Sequence, residues 1–457
     1  MSNVRDSIDQ PEARDGSPSC AATRSLGRRP SVRHRIDQLL RPAGHVFYGW
    51  WIVGASSGIQ WLTAMLWMQS YGAYVVVLQA DFGWSKTVMA AAFALTRIES
   101  GILGPAQGWL VDRFGPRLIL TIGTLIFSVG FMLFSQVESL LGFYVTFALI
   151  ALGSSLGGFA TLMVPLVNWF NRHRSKAVSL SQLGFSIGGL SVPLLIVSLE
   201  AFGWRATAFY SGILVLILGL PLVRLVHHRP EDRGEVPDGI RSTSTNGEAL
   251  LPSPPDFTAR QAMRTWPFWL ISFGHASALL AVSSLIVHLA PHLTEGLEYS
   301  LAAAGLVVAL MTGCQMVGQL IGGYLGDKFD KRLICFACML AHGAGMLLVA
   351  YATHLWMVVL ATLLHGLAWG IRGPQMVALR ADYFGASSFG TIMGFSSLIV
   401  MLGMSAGPII AGYMADRNGD YQAGFTLLAM LVLAGAFCFL LSRPPKRVGR
   451  SLEARSP

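Results

Sequence analysis

From Tyr48 to Ser442 the chain alternates between apolar stretches of roughly 20 residues and short polar breaks. A helix rises about 1.5 Å per residue, so each stretch can cross the ~30 Å hydrocarbon core of a bilayer. The pattern predicts helices near 48–78, 87–112, 118–136, 140–167, 176–199 and 204–226. A second set follows near 265–290, 299–326, 331–352, 355–379, 388–413 and 421–442. A polar stretch over 227–264, carrying Pro230, Pro237, Pro252, Pro254 and Pro255, separates the two sets. Residues 1–46 are polar, rich in arginine and interrupted by four prolines, and they lack the apolar core of a secretory signal. They read as a disordered basic tail, and 443–457 as a second one. The expectation is an all-α integral membrane protein of 12 transmembrane helices, with six-helix bundles over 47–226 and 265–442.

Composition agrees: 53% of residues are hydrophobic and 12% charged, and mean hydropathy is +0.54. A soluble domain carries about 25% charged residues. The net charge of +9 is not gathered on a soluble domain, which argues against a nucleic-acid partner. The basic residues recur instead between apolar runs. With a cytoplasmic N-terminus, inner tails and loops hold 28 of the 33 basic residues, and outer loops hold Lys86, Arg205 and Arg417. Arg97 and Arg372 fall inside helices. This bias places both termini in the cytoplasm of a multi-pass plasma-membrane (bacterial inner-membrane) protein. A monomer in the lipid bilayer is expected. The five cysteines, Cys20, Cys314, Cys335, Cys338 and Cys438, are odd in number and mostly apolar in context. They read as thiols, and the zinc-like spacing of Cys335 and Cys338 lacks a second pair, so no metal or cofactor is expected.

Two polar breaks resemble each other. Gly108-Trp-Leu-Val-Asp112-Arg113-Phe-Gly115-Pro116-Arg117 closes one apolar stretch and opens the next. Gly323-Tyr-Leu-Gly-Asp327-Lys328-Phe-Asp-Lys-Arg332 does the same 215 residues later. At that offset Trp84-Ser85 matches Tyr299-Ser300, Gly188 matches Gly403 and Pro193 matches Pro408; one residue later in register, Gly203 and Phe209 match Gly419 and Phe425. A near-constant offset over about 130 residues indicates parallel duplication of a six-helix unit.

With these hairpins and the 6+6 plan, the chain resembles the major facilitator superfamily over 47–442. Phe82-Gly-Trp-Ser85, Ala381-Asp-Tyr-Phe-Gly385 and Ala415-Asp416 are similar to the bacterial oxalate/formate and monocarboxylate porters. The resemblance implies two bundles rocking about a midplane site. It implies further that Asp112 caps helix 11 and Asp327 caps helix 5 as conformational latches in the outward-open state. A carboxylate is stabilised at a helix N-terminus by free N–H groups and the positive dipole end. Gly108 and Gly323 would let facing helices approach closely, and Gly115, Arg113, Arg117, Lys328 and Arg332 complete the hairpins.

Charges within membrane helices are costly and so are functional candidates. Arg97 lies on a stripe with Gly101, Gly104 and Gly108, whereas Glu99 points about 200° away from it. The sequence admits structural ion pairs for both, or an anion on Arg97 and a transported proton on Glu99. Arg372 ends a stripe with His365 and Trp369, before Gly373-Pro374, which is expected to break or kink helix 10. It could fork onto a carboxylate or snorkel to headgroups. His275, His342 and His365 have side chains suited to proton coupling, His365 foremost. Gln60, Trp67, Tyr71 and Tyr74 follow one helical face, as do Gln315 and Gln319, which suits a cavity wall.

Together these features point to a secondary active transporter of a small organic anion, a mono- or dicarboxylate, coupled to protons. The alternative is a multidrug or metabolite exporter working by proton antiport. Helix 8 holds no basic residue between 299 and 326, where the resembled carboxylate porters commonly place one; helix 4 lacks the early arginine usual in drug–proton antiporters. No nucleophile–base constellation and no phosphate-binding loop appears, so neither an enzyme nor a nucleotide-driven pump is expected.

Overall fold

The computed structural model describes residues 46–84, 86–239 and 256–445, without the side chains of several residues in 86–97 and of Leu301. The tails expected over 1–46 and 443–457 and the middle of the 227–264 stretch fall almost wholly outside the described residues. Among the described residues twelve spans are present, called α1 to α12 in chain order. The first half holds α1 Gly49–Phe82, α2 Lys86–Phe114, α3 Pro116–Phe134 and α4 Leu140–Trp169. It continues with α5, Arg174–Leu190 extended through 192–202, and α6 over 204–225. The second half holds α7 Trp266–Pro291, α8 Leu301–Lys328, α9 Lys331–Ala350, α10 Leu355–Phe384, α11 Phe389–Asn418 and α12 Gln422–Leu441.

The helices follow from composition, and their interruptions follow from particular residues. Arg174–Leu225 is a 52-residue helical stretch, too long for one crossing. Gly203, at φ 76°, divides it into α5 and α6 where no side-chain-bearing residue turns easily. Its repeat partner Gly419 ends α11 at φ 81°. Gly157-Gly158 splits α4 into Leu140–Leu156 and Phe159–Trp169. A π-helical turn over Ala64–Met68 and a break at Gln69-Ser70 interrupt α1.

Pro374 does not end α10, as its sequence position suggests. The helix runs unbroken to Phe384, five residues past the expected end. Pro374 is buried, and α10 is tied to α8 beside it: Gln375 Nε2 donates to Gly322 O at 2.7 Å. Arg380, assigned by its sequence position to an inner loop, therefore lies inside α10.

One apolar core lies around Leu285, Met339, Leu428 and Phe439 in the second half; another, around Ile52, Leu120, Leu166 and Phe170 in the first, also takes in Val377, Ala381, Phe389 and Met393 of the second. Leu118, Ile122, Leu125, Val129 and Leu133 form an exposed stripe on α3, as expected of a face turned to lipid. The halves meet through two crossed pairs, α2 on α11 and α5 on α8. The 215-residue offset relates one pair to the other. It also relates single contacts: a Cβ on Gly188 would lie 2.7 Å from Trp61 O, and one on Gly403 would lie 2.4 Å from Ala276 O.

At the α2–α11 crossing a Cβ on Gly108 would stand 2.1 Å from Gly390 O, and one on Gly104 would stand 3.0 Å from Gly394 O. Backbone cannot retreat as a flexible side chain can. Gly108→Val is therefore expected to lower the stability of this closed arrangement by about 1–3 kcal/mol, the usual cost of overpacking. Thermal unfolding of the purified variant checks this; an unchanged midpoint would mean the helices do not close here in solution.

Candidate functional site

Below this crossing lies the end of the molecule that carries both hairpins. Asp112, at the end of α2, accepts from the first turn of α11: Gly390 N–H at 2.9 Å, Thr391 N–H at 2.7 Å and the Thr391 hydroxyl at 2.7 Å. Asp327, at the end of α8, accepts from Ser175 N–H at 2.8 Å and Lys176 N–H at 3.3 Å on α5. Ser175 and Lys176 stand 215 residues before Gly390 and Thr391. The two carboxylates thus make one interaction twice, each from its own half onto a helix N-terminus of the other. Gly323 serves its crossing as Gly108 does: its Cβ would stand 2.8 Å from the Ser179 side chain.

The remaining hairpin candidates take the following positions. Gly115 adopts φ 81° at the turn, Arg113 lies over Trp109 at 5.7 Å, and Arg117 is exposed. Lys328 lies over the Tyr324 ring at 4.2 Å, and Arg332 Nη2 pairs with Asp330 at 2.7 Å. That hydrogen-bonded guanidinium holds the Asp330 carboxyl below the usual carboxylate range.

One ion-paired group at this end escaped the sequence reading. Arg174 on α5 pairs with Asp382 on α10, which also takes Lys331 Nζ at 2.8 Å. This bridge has no repeat counterpart, because Val167 and Pro116 occupy the positions equivalent to Asp382 and Lys331.

Above the glycine crossing is a cavity of about 220 Å³ between the first half and α11. Thr96, Ser100, Gly104 and Gln107 on α2 form one wall, and Gly394, Ser397 and Met401 on α11 form another. Gln60, Thr63 and Trp67 on α1 and Ser154 and Ser155 on α4 complete its polar lining. The break in α4 contributes directly: Ser155 O, at the end of the first segment, accepts from Gln107 Nε2 at 2.6 Å. The Ser155 hydroxyl lies 2.7 Å from the Ser100 hydroxyl, and each lies 3.3 Å from Glu99 Oε2. Glu99 Oε1 is buried without a hydrogen-bond partner. Glu99 is thus a carboxyl held by serines beside the cavity, with no ion pair among the described residues.

The remaining candidates divide. Gln60 lines the cavity while its Nε2 donates to Ser181 Oγ at 2.7 Å, and Trp67 lines it while packing on Phe147 with centroids 4.3 Å apart. Tyr71 packs on Phe147 as well. Tyr74 is 3% exposed and packs on Phe134, away from the lining. The π-helical turn and break in α1 shift its helical phase, so the four residues do not share one wall. Gln319 receives the Ser186 hydroxyl at 3.1 Å across the α5–α8 crossing, and Gln315 is buried where α8 meets Gly370. Arg372, His275, His342 and His365 do not line the cavity; all four lie within the second half, and Arg372 is buried, not snorkelling. The Arg97 side chain lies outside the described residues.

Asp112→Asn is expected to weaken the α11 cap by about 0.3–1 kcal/mol, or up to ~2 with its partial burial. The closed arrangement should lose roughly two- to thirty-fold in population. Maleimide labelling of Ser179→Cys, placed in the crossed interface, would speed up accordingly; an unchanged rate would leave Asp112 as a folding element of the hairpin.

The family model described as Major Facilitator Superfamily matches residues 56–290 and 271–456. The human protein named monocarboxylate transporter 11 is 28% identical over 417 residues, covering 88% of this chain and 84% of that protein. The probable L-galactonate transporter of Escherichia coli is 25% identical, covering 81% of this chain and 84% of its own. Among solved structures, a bacterial homologue of the iron transporter ferroportin in an outward-facing state superposes with a TM-score of 0.68. It is 15% identical and covers 86% of this chain and 99% of that one, a likeness of fold.

Proposed function

Because the chain belongs to the Major Facilitator Superfamily, we propose that this multi-pass membrane protein moves a small organic anion, a mono- or dicarboxylate, by proton-coupled alternating access. One observation carries the reading: two equivalent carboxylate caps close one end of a two-bundle molecule beneath a polar cavity. Such caps are weak, at about 0.3–2 kcal/mol each, and so are suited to opening and closing. We assign the capped end to the cytoplasm, which the distribution of Lys and Arg supports, and the membrane to the cell's own boundary.

Support for an anionic cargo comes from relatives, whose printed names give a monocarboxylate and a sugar acid as their substrates. Within this chain the counter-charge falls to Arg97, which stands on α2 between the cavity-lining Thr96 and Ser100. Ser100, Ser155, Gln107 and Gln60 would orient the carboxylate by hydrogen bonds. Glu99 is the proton carrier of the reading, because it sits beside the cavity with one buried oxygen unpartnered. A carboxyl in that setting can take up a proton when the site opens and release it on the other side.

Thermal-shift titration with short mono- and dicarboxylates, set beside cationic dyes, tests the cargo class, since a bound ligand stabilises the fold by mass action. Stabilisation by the dyes alone would favour an exporter and overturn the anion reading. Arg97→Lys is expected to weaken carboxylate binding at least ~10-fold, because an ammonium cannot reproduce a bidentate fork. For coupling, Glu99→Gln in proteoliposomes should abolish stimulation of uptake by an imposed pH gradient. Exchange of labelled for unlabelled carboxylate should survive, since it needs no net proton movement. Gradient stimulation equal to that of the unaltered protein would remove Glu99 from the mechanism.

A further inference from the structure

The interior of the second bundle holds two guanidinium groups that form no ion pair with a carboxylate among the described residues. Arg372 on α10 is 1% exposed, and its Nε and Nη1 have no hydrogen-bond partner. Arg380, about two turns further along, is buried as completely. It donates to Ser396 Oγ at 2.7 and 3.0 Å and to Met376 O at 2.7 Å, and its Nη2 lies 3.2 Å from His275 Nδ1. The other groups within electrostatic range of Arg372 are Cys335, Cys338, His342 and His365. The two histidines approach each other at 3.1 Å between Nδ1 atoms, and both of their Nε2 atoms are buried without partners. Among the described residues neither arginine forms an ion pair.

A buried charge left unpaired costs several kcal/mol, and an arginine cannot escape the cost by losing its proton. The internal duplication shows that packing does not require these groups. At the 215-residue offset Arg372 corresponds to Gly157, Arg380 to Pro165, Cys335 to Leu120 and Cys338 to Gly123. His342 corresponds to Phe127 and His365 to Ile150. The first bundle closes this place with apolar residues and a backbone contact, a Cβ on Gly123 lying 2.4 Å from Gly157 N. The second bundle has put cations and N–H donors there instead. Cysteine and histidine could in principle hold a metal ion, but two adjacent guanidinium charges would repel it.

We propose that the second bundle binds a small monovalent anion, a halide or a carboxylate of formate size, on an unpartnered N–H group of Arg372 between α7, α9 and α10. The site is separate from the transport cavity and holds whether or not the cavity carries carboxylates. One member of the His342–His365 pair supplies a further N–H donor nearby, since the other spends its N–H on the Nδ1–Nδ1 hydrogen bond, and Arg380 adds a second positive charge.

Purified full-length protein would be titrated with sodium chloride against sodium gluconate at constant ionic strength, with sodium formate as a second arm, and thermal unfolding read throughout. A saturable rise with chloride, with formate or with both is expected, and which arm responds identifies the ion. No saturable rise in either arm of the unaltered protein overturns the proposal without recourse to any variant. Arg372→Gln should weaken the response at least ~10-fold; an unchanged response in a folded Arg372→Gln also overturns it. If that variant does not fold, Arg372→Lys, which keeps the charge, should retain the response in weakened form, and loss of no affinity there would equally refute it. Glu99→Gln and Arg97→Lys should leave the chloride response unaltered, which separates this site from the transport reading.

Discussion

A carboxylate placed on the N-terminus of a helix from the other half is the interaction on which the closed form of this protein depends. Free N–H groups and the positive end of the helix dipole make such a terminus an anion site. The protein uses it twice, Asp112 on α11 and Asp327 on α5, at positions related by the internal duplication. Glycines one turn earlier, Gly108 and Gly323, allow the approach that brings carboxylate and helix end together. The caps act beside an apolar contact at the same end, where Val377, Ala381, Phe389 and Met393 of the second half join the buried cluster of Val111, Phe170 and Val178.

The duplication also shows where the halves have diverged, and divergence marks function better than the shared plan does. The Arg174–Asp382–Lys331 group has no equivalent in the other crossed interface, so the two crossings differ in strength despite their common caps. The cavity is lopsided in the same way, drawing its polar lining from α1, α2 and α4 and using α11 as its opposite wall. The cationic interior of the second bundle stands where the first has Leu120, Gly123, Phe127, Ile150 and Gly157. One backbone plan thus carries a polar cavity in one half and a buried basic cluster in the other.

Central-loop residues add a further layer to the same helix ends. Asp238, at φ 59°, accepts from Asn171 N–H at 3.0 Å and Arg172 N–H at 2.8 Å, in the turn that precedes α5. Asp256 accepts from Ser387 N–H at 3.2 Å, in the equivalent turn before α11. Each turn preceding a capped helix is therefore held by a carboxylate of its own half, which keeps the N–H groups of the helix end oriented toward the carboxylate arriving from the other half.

The sequence by itself determined the membrane class, the count and order of the spans, the duplication and the hairpins. These depend on quantities local to the chain: the hydropathy of about 20 consecutive residues, and breaks such as Gly115-Pro116. It also singled out Asp112 and Asp327, because a repeated acidic residue at a helix end is a local signal. Tertiary structure alone decided which side chains share a space. Tyr74 left the face it appeared to share with Gln60 because a π-helical turn and a break shifted the phase of α1. Ser155 and Gln107 became a site because the break at Gly157-Gly158 left the Ser155 carbonyl, bonded at its helix end only to Gly158 N–H, open to a helix 48 residues away. Arg380 moved from loop to bundle interior because α10 continues past Pro374 to Phe384, packed against other helices. In each case the deciding contact came from another helix, and no periodicity within one segment encodes where that helix lies.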